Sequence, residues 1–226
     1  MPPIDHGALK LEAARAAINY VVPGDVLGVG SGSTVNAFIG LLEALAQDIP
    51  GAVAASEASG RALRAVGIRV LDLNEVARLG VYVDGADEID ANMCAIKGGG
   101  AALTREKILA DAATNFVCIV DASKRVRRLG GFPLPIEVVP MATGIIFKRL
   151  IAMGGQPVLR TGVVTASGNA IIDVMGLNFD RPAELETALN QLPGIVCSGI
   201  FALRPADVCI SASVSGVSTQ TRSNTA

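Results

Sequence analysis

The sequence predicts an α/β protein: a Rossmann-like, mostly parallel sheet with helices on both faces, followed by a small α+β domain of ferredoxin-like order. Three observations carry this. Short apolar runs alternate with helix-period segments up to about residue 130, the pattern that a parallel sheet covered on both faces requires. From Pro133 onward the order becomes β-α-β-β-α-β, that of a split βαβ unit. Glycine-rich or acidic segments fall just after the apolar runs, where open α/β sheets bind ligands.

The first helix spans Ala8 to Val21, with Leu9, Ala13, Ala16, Ala17 and Tyr20 at helical spacing, and stops at Pro23-Gly24. Val26 to Val29 is a short strand running into a glycine loop, and Val35 to Ala46 resumes the helical period. The alternation continues with a helix near Glu57 to Val66, a strand at Ile68 to Leu71, a short helix near Asn74 to Leu79 and a strand at Val81 to Val83. A helix from Thr104 to Ala113 and a strand at Phe116 to Val120 follow.

In the second domain the strands are Ile136 to Val139, Pro157 to Leu159, Ile171 to Val174 and Ile195 to Ala202, with helices at Gly144 to Met153 and Pro182 to Leu192. Asp180 is the expected N-cap of the latter, with Pro182 in its first turn. Phe132-Pro133-Leu134-Pro135 makes a stiff connection into this domain. Val208 to Ala212 is expected to return to the first sheet, so the domains run 1–130 with 206–226, and 131–205. The Ser- and Thr-rich tail from Ser211 to Ala226 is expected to fray at its end.

Nineteen basic against 21 acidic residues give a net charge of −2, which offers no broad field for nucleic acid or an anionic membrane, so an anionic ligand has to be met locally. Neither a secretion signal nor a membrane-length apolar run is evident. Cys94, Cys118, Cys197 and Cys209 lack CxxC spacing and one histidine, His6, cannot build a His-rich metal centre, so reduced cytosolic thiols and no metal are expected. Cys118 reads as core; Cys94, close to Lys97, is the more reactive candidate.

Four segments carry chemistry. Gly28-Val29-Gly30-Ser31-Gly32-Ser33-Thr34 joins a strand to a helix, so its amides, hydroxyls and helix dipole suit a phosphate. It lacks the lysine of a P-loop and the last glycine of a dinucleotide fingerprint. Asp84-Gly85-Ala86-Asp87-Glu88-Ile89-Asp90 places four carboxylates past a strand end, open to three readings: a sugar-hydroxyl site, a metal site or a solvated acidic turn. Lys97-Gly98-Gly99-Gly100 implies a close backbone approach, and Glu106 follows in the first turn of a helix, as a dipole partner or as a general base. Asp121-Ala122-Ser123-Lys124 ends another strand, where Lys124 can complete an anion site; Lys10 is a weaker candidate of that kind. Isomerising an aldose phosphate needs a phosphate anchor, a base between C1 and C2, donors for an enediolate and help in opening the ring, and each has a candidate here.

In this order and spacing, GVGSGSTV, VDGADEID, IKGGGAALTREK and DASK resemble the type A ribose-5-phosphate isomerases, and the resemblance runs on through FPLPIEVVPMA to GIFALRPADV. It implies interconversion of ribose 5-phosphate and ribulose 5-phosphate without metal or organic cofactor, in a cytoplasmic homodimer or homotetramer. It further implies that Ser31, Gly32, Ser33, Thr34, Asp84, Gly85, Ala86, Asp87, Lys97, Gly98, Gly99, Gly100 and Lys124 bind substrate. Glu106 would be the base, Asp84 and Lys97 would assist ring opening and charge stabilisation, and Asp87 would hold sugar hydroxyls. The chain departs from the family pattern with Ser31 where Thr is common, Glu57 where Asp is familiar, and Thr143-Gly144 where a more basic stretch is usual.

Two other readings use the same pocket. An amino-sugar phosphate isomerase-deaminase relies on an active-site histidine, and His6 lies outside every one of these loops. A sugar-phosphate sensor would normally bring a DNA-binding appendage, which has no counterpart here.

Overall fold

The computed structural model of the protein describes residues 5–222. In chain order its elements are α1 (His6–Ala17), β1 (Val26–Val29), α2 (Ser33–Leu41), β2 (Ala52–Ala54), α3 (Glu57–Ala65), β3 (Leu79–Asp84), β4 (Glu88–Ile89), β5 (Ala95–Ile96), α4 (Leu103–Ala112) and β6 (Ala113–Asp121). Then come β7 (Leu134–Val138), α5 (Thr143–Ala152), β8 (Gln156–Leu159), β9 (Ala170–Met175), α6 (Pro182–Asn190), β10 (Ile195–Ser198), β11 (Ile200–Phe201), β12 (Val208–Ser213) and β13 (Gly216–Thr221). They divide into two compact units. One holds the described residues up to Gly85 together with Ile108–Arg125 and those from Ala206, and the other holds Ala86–Lys107 and Val126–Pro205. Ala86–Lys107, expected with the larger domain, therefore belongs to the second unit, because β4 and β5 pair with β11 rather than with the large sheet.

The first unit is built on a six-stranded sheet of order β13-β12-β6-β3-β1-β2, parallel except for the β12–β13 hairpin. Val29, Val83, Val117 and Ile210 from its strands meet Ala13, Phe38 and Leu42 from the helices in one apolar core. Tyr82 points the other way and packs against Phe116, ring centroids 5.1 Å apart. Asp5 caps α1 by accepting from the Gly7 and Ala8 amides.

Two expectations change here. Strand β2 was not anticipated, and the apolar run Ile68 to Leu71 contributes one isolated bridge, Val70 to Ala52, while its Arg69 carbonyl and Leu71 amide bond the Ala52 backbone. The helix expected near Asn74 to Leu79 is a single 3-10 turn, Leu73–Glu75, capped by Asp72, and by Leu79 the chain is already in β3. The Ser- and Thr-rich tail forms the edge strand β13 through Thr221, and the fraying expected at its end falls on residues 223–226, outside the described residues.

The second unit has a four-stranded antiparallel sheet of order β10-β7-β9-β8, the ferredoxin-like arrangement of a βαββαβ chain. Leu134, Ile136 and Ile172 from this sheet pack with Ile146 and Leu150 of α5 and Leu189 of α6. The single strand expected over Ile195 to Ala202 breaks at Gly199, whose amide donates to the Pro135 carbonyl (2.7 Å) and whose carbonyl accepts from the Lys97 amide (2.9 Å). Beyond it, β11 joins the small sheet β11-β5-β4. Arg181, not Asp180, occupies the N-cap of α6; Asp180 pairs instead with Arg128 at 2.9 Å. Among the described residues no helix is long and apolar enough to cross a membrane.

Parallel register brings the ends of β1, β3 and β6 to one edge of the large sheet. At that edge Asp121 is buried and caps the following 3-10 turn, Ala122–Lys124, accepting from the amide and hydroxyl of Ser123. Burial alone would raise its pKa, but the Ser123 bonds and the charges of His6 and Lys124 outweigh it and hold the carboxyl below its ordinary value. The unfolded chain thus takes up this proton first. Asp121 contributes stability that is complete above the unfolded carboxylate pKa of about 3.9 and disappears as pH falls through the lower folded value. Acid unfolding followed by circular dichroism should show a shallower loss of stability below pH 4 in Asp121→Asn than in the parent.

Candidate active site

The residues singled out in the sequence fall into two groups, one in each unit. In the first unit β1 ends in a turn at Gly30, whose amide bonds the Val83 carbonyl (2.9 Å) and whose carbonyl accepts from the buried Ser59 hydroxyl (2.6 Å). Asp84, completely buried at the end of β3, accepts from the Ser31 amide (3.0 Å), the Gly85 amide (2.7 Å) and the Tyr82 hydroxyl. A Cβ on Gly30 would lie 1.9 Å from the Asp84 carboxyl carbon, so no other residue fits there.

With the turn held from below, Gly32 takes φ +101° as the N-cap of α2, and Ser33 and Thr34 open the helix. The first N–H groups of a helix have no intrahelical acceptor, and α2 has no acidic residue in its first turn, so this terminus suits an anion. Lys124 is half-buried at the same sheet edge, and α1, which carries Lys10, starts over it with His6 Nδ1 3.8 Å from Asp121.

In the second unit Asp87 follows Gly85-Ala86, its amide bonded to the Ile96 carbonyl (2.9 Å) and its carboxylate accepting from the Gly99 amide (2.9 Å). Lys97 is held by the bond from its amide to Gly199, and its ammonium lies 3.2 Å from Glu106 Oε2, both side chains being almost wholly removed from solvent. The same ammonium lies 5.4 Å from the centre of the Phe201 ring, within cation–π range. Glu106 stands in the first turn of α4, which starts directly after the Gly98 to Ala102 loop. Lys97 and Glu106 are thus paired as a cation and a carboxylate, and the glycine loop that lies between them in sequence supplies the amide that aims Asp87.

Of the readings open for the acidic run, a solvated turn is excluded by burial of Asp84, Glu88 and Asp90. Glu88 accepts from the Gly130 and Phe132 amides, and Asp90 from those of Asn92 and Cys94, so both are spent on shaping loops. No group of three or more potential metal ligands occurs among the described residues. All four cysteines are free thiols; Cys94 is partly exposed, and burial pushes Cys197 up to about 11.

Sequence reasoning missed several residues that shape these groups. Tyr82 could have been found, since strand alternation puts it on the same face as Asp84. Glu186, buried, ties Lys107 of α4 to the Ala202 and Leu203 amides, and Arg160 reaches the glycine loop; neither is signalled by any local motif.

The family model for ribose 5-phosphate isomerase A (phosphoriboisomerase A) matches residues 51–216. A ribose 5 phosphate isomerase A from Neisseria gonorrhoeae is 45% identical, with 97% of this chain and 99% of that one covered and a TM-score of 0.95. A D-ribose-5-phosphate isomerase in complex with phospho-erythronic acid is 36% identical over 97% of this chain and all of its own, at a TM-score of 0.93. The enzyme from Methanocaldococcus jannaschii is likewise 36% identical, with 96% and 100% covered and a TM-score of 0.90. With the family model matched over residues 51–216 and nearly the whole length shared with these structures, the chain belongs to the ribose 5-phosphate isomerase A family.

Proposed function

We propose that the protein interconverts D-ribose 5-phosphate and D-ribulose 5-phosphate by proton transfer through an enediolate, with Glu106 as the base. The observation that carries this is the buried Glu106 carboxylate 3.2 Å from the Lys97 ammonium, beside the loop that aims Asp87. Glu106 takes the proton from C2 of the open-chain aldose, the electron pair forms the C1–C2 double bond, and O1 receives the charge. The proton is returned to C1 while O2 gives up its own to O1, leaving the carbonyl at C2 with atoms and charge balanced. Lys97 offsets the negative charge that develops on the enediolate oxygens. By family resemblance Asp84 and Lys97 also assist ring opening, and Asp87 holds sugar hydroxyls. The phospho-erythronic acid bound to a relative supports this reading, because its carboxylate is planar and anionic like an enediolate.

The phosphate is assigned to the Ser31 to Thr34 loop and Lys124, and Gly85, Ala86 and Gly98 to Gly100 supply backbone next to the sugar. A homodimer or homotetramer in the cytoplasm belongs to the same proposal, supported by the family and tested by light scattering and localisation.

Ketose formation from ribose 5-phosphate, with glucosamine 6-phosphate as the comparison, is the primary test; binding without turnover would favour a sensor. If Glu106 only complements the helix dipole, Glu106→Gln costs about 0.3–1 kcal/mol of stability and spares turnover. As the base, Glu106→Gln should lower kcat by about 10²-fold or more with a much smaller change in KM. In deuterated water the product should carry solvent label next to the carbonyl; its complete absence would point to hydride transfer.

Lys124→Ala should raise KM, by a loss of about 1.5–3 kcal/mol for one charge-assisted bond. An unchanged KM in folded protein removes Lys124 from the site. Metal independence is predicted as well: prolonged EDTA treatment should leave activity intact, and restoration by a divalent cation after its loss would make the acidic loop a metal site.

A further inference from the structure

Arg160, just past the end of β8, directs its guanidinium fork at two targets. Nε donates to Asp173 Oδ2 (2.7 Å) and Nη2 to Asp173 Oδ1, so one edge is locked in a bidentate pair with β9. On the other edge, Nη1 donates to the carbonyls of Gly98 (3.1 Å) and Gly99 (3.0 Å). Those carbonyls belong to the triple-glycine loop, in which Gly98 has φ +107° and no ladder fixes the backbone.

The Gly98 carbonyl and the Gly99 amide are the two ends of one peptide plane. A trans peptide is rigid and its C=O and N–H point in opposite directions, so a grip on one sets the aim of the other. Here the carbonyl end is held by Arg160 together with the Ala101 amide (3.0 Å), which closes the loop's own turn, and the N–H end donates to Asp87 Oδ2 at 2.9 Å. A continuous chain of bonds therefore runs from Asp173 through Arg160 and the Gly98–Gly99 peptide to the Asp87 carboxylate.

We propose that Arg160 is a positioning residue for the isomerisation: by clamping the Gly98–Gly99 peptide it aims that peptide's N–H at Asp87 and so fixes the carboxylate that holds the sugar hydroxyls. This rests on the isomerase reading and on the role of Asp87 within it. Lysine cannot replace the fork, since a point cation cannot satisfy a carboxylate edge and two carbonyls together.

The test is a double-mutant cycle of Arg160→Met and Asp87→Ala in the full chain, with ribose 5-phosphate as substrate and thermal unfolding as the control for folding. Arg160→Met should reduce kcat/KM by about 10–100-fold, the usual size of a lost supporting contact, and Arg160→Lys should recover little of it. In the Asp87→Ala background the same change should cost less than about twofold, because its target is gone. Losses that multiply would show that Arg160 acts elsewhere, and near-normal kcat/KM in Arg160→Met with an impaired Asp87→Ala would overturn the inference while leaving the isomerase reading intact. An Asp87→Ala enzyme with full activity overturns both the role of Asp87 and the inference built on it. Should Arg160→Met not fold, Asp173→Asn, which loosens the same clamp from its far end, takes its place in the cycle with the same expectations.

Discussion

A carboxylate taken out of water has to find its hydrogen bonds inside the protein, at a cost of about 1–3 kcal/mol for each neutral group left unpaired and more for a charge. The acidic run after β3 meets this requirement residue by residue. Asp84 is answered by the Ser31 and Gly85 amides, Asp87 by Gly99, Glu88 by Gly130 and Phe132, and Asp90 by Asn92 and Cys94. Each acceptor thereby dictates the path of another segment: the glycine loop before α2, the triple-glycine loop, the stretch leading into β7 and the turn between β4 and β5. Charge that could have repelled is distributed over backbone amides, and loops without ladders of their own are given fixed shapes.

Lys97 and Glu106 obey the same rule with a side-chain partner. An ion pair at this depth gains little net stability, since desolvating two charges offsets most of their attraction, and removing either partner strands the other. Its persistence is better understood through chemistry. In the proposed isomerisation a base has to meet its proton in a set geometry, and the cation beside it would stabilise negative charge as it forms. The anchoring is correspondingly firm: the Lys97 amide is bonded to Gly199, and the neighbouring Lys107 is tied to Glu186 and to the Ile200 carbonyl, with the Phe201 ring 4.5 Å from its ammonium. Those contacts fix α4, and with it Glu106, at a point where the glycine loop alone could not.

Much of this was legible in the sequence because it is written in local patterns. Long apolar runs such as Phe116 to Val120 and helix-period segments such as Val35 to Ala46 announce themselves, and the βαββαβ order follows from their succession. What escaped notice lacked such a pattern. Ala52–Ala54 is three small residues long, β4 and β5 are two each, and β13 is a Ser- and Thr-rich edge strand with no apolar face. The break between β10 and β11 is made by bonds from Gly199 to Pro135 and Lys97, partners distant in sequence. In the site, GSGST, DGAD, KGGG and Glu106 were visible as residue types in tight spacing, whereas Arg160 and Glu186 are single charged residues on unremarked segments whose partners only folding supplies.

The glycines show how these long-range choices are encoded nonetheless. A triple glycine suggests that backbone closes on something, and a glycine loop before a helix suggests a phosphate. In both places the first occupant of the vacated space belongs to the protein itself. A Cβ on Gly30 would fall 1.9 Å from the Asp84 carboxyl carbon, and one on Gly99 would fall 2.8 Å from Asp87 Oδ1. Each glycine is therefore one half of a pair whose other half is an acid of the DGAD segment. The bond of Asp84 to the Ser31 amide shapes the loop that precedes α2, and the bond of Asp87 to the Gly99 amide shapes the loop that precedes α4. Two separate motifs in the sequence are, physically, one construction used twice: a carboxylate of the DGAD segment occupying the room a glycine leaves, with the backbone of that glycine's loop folded around it.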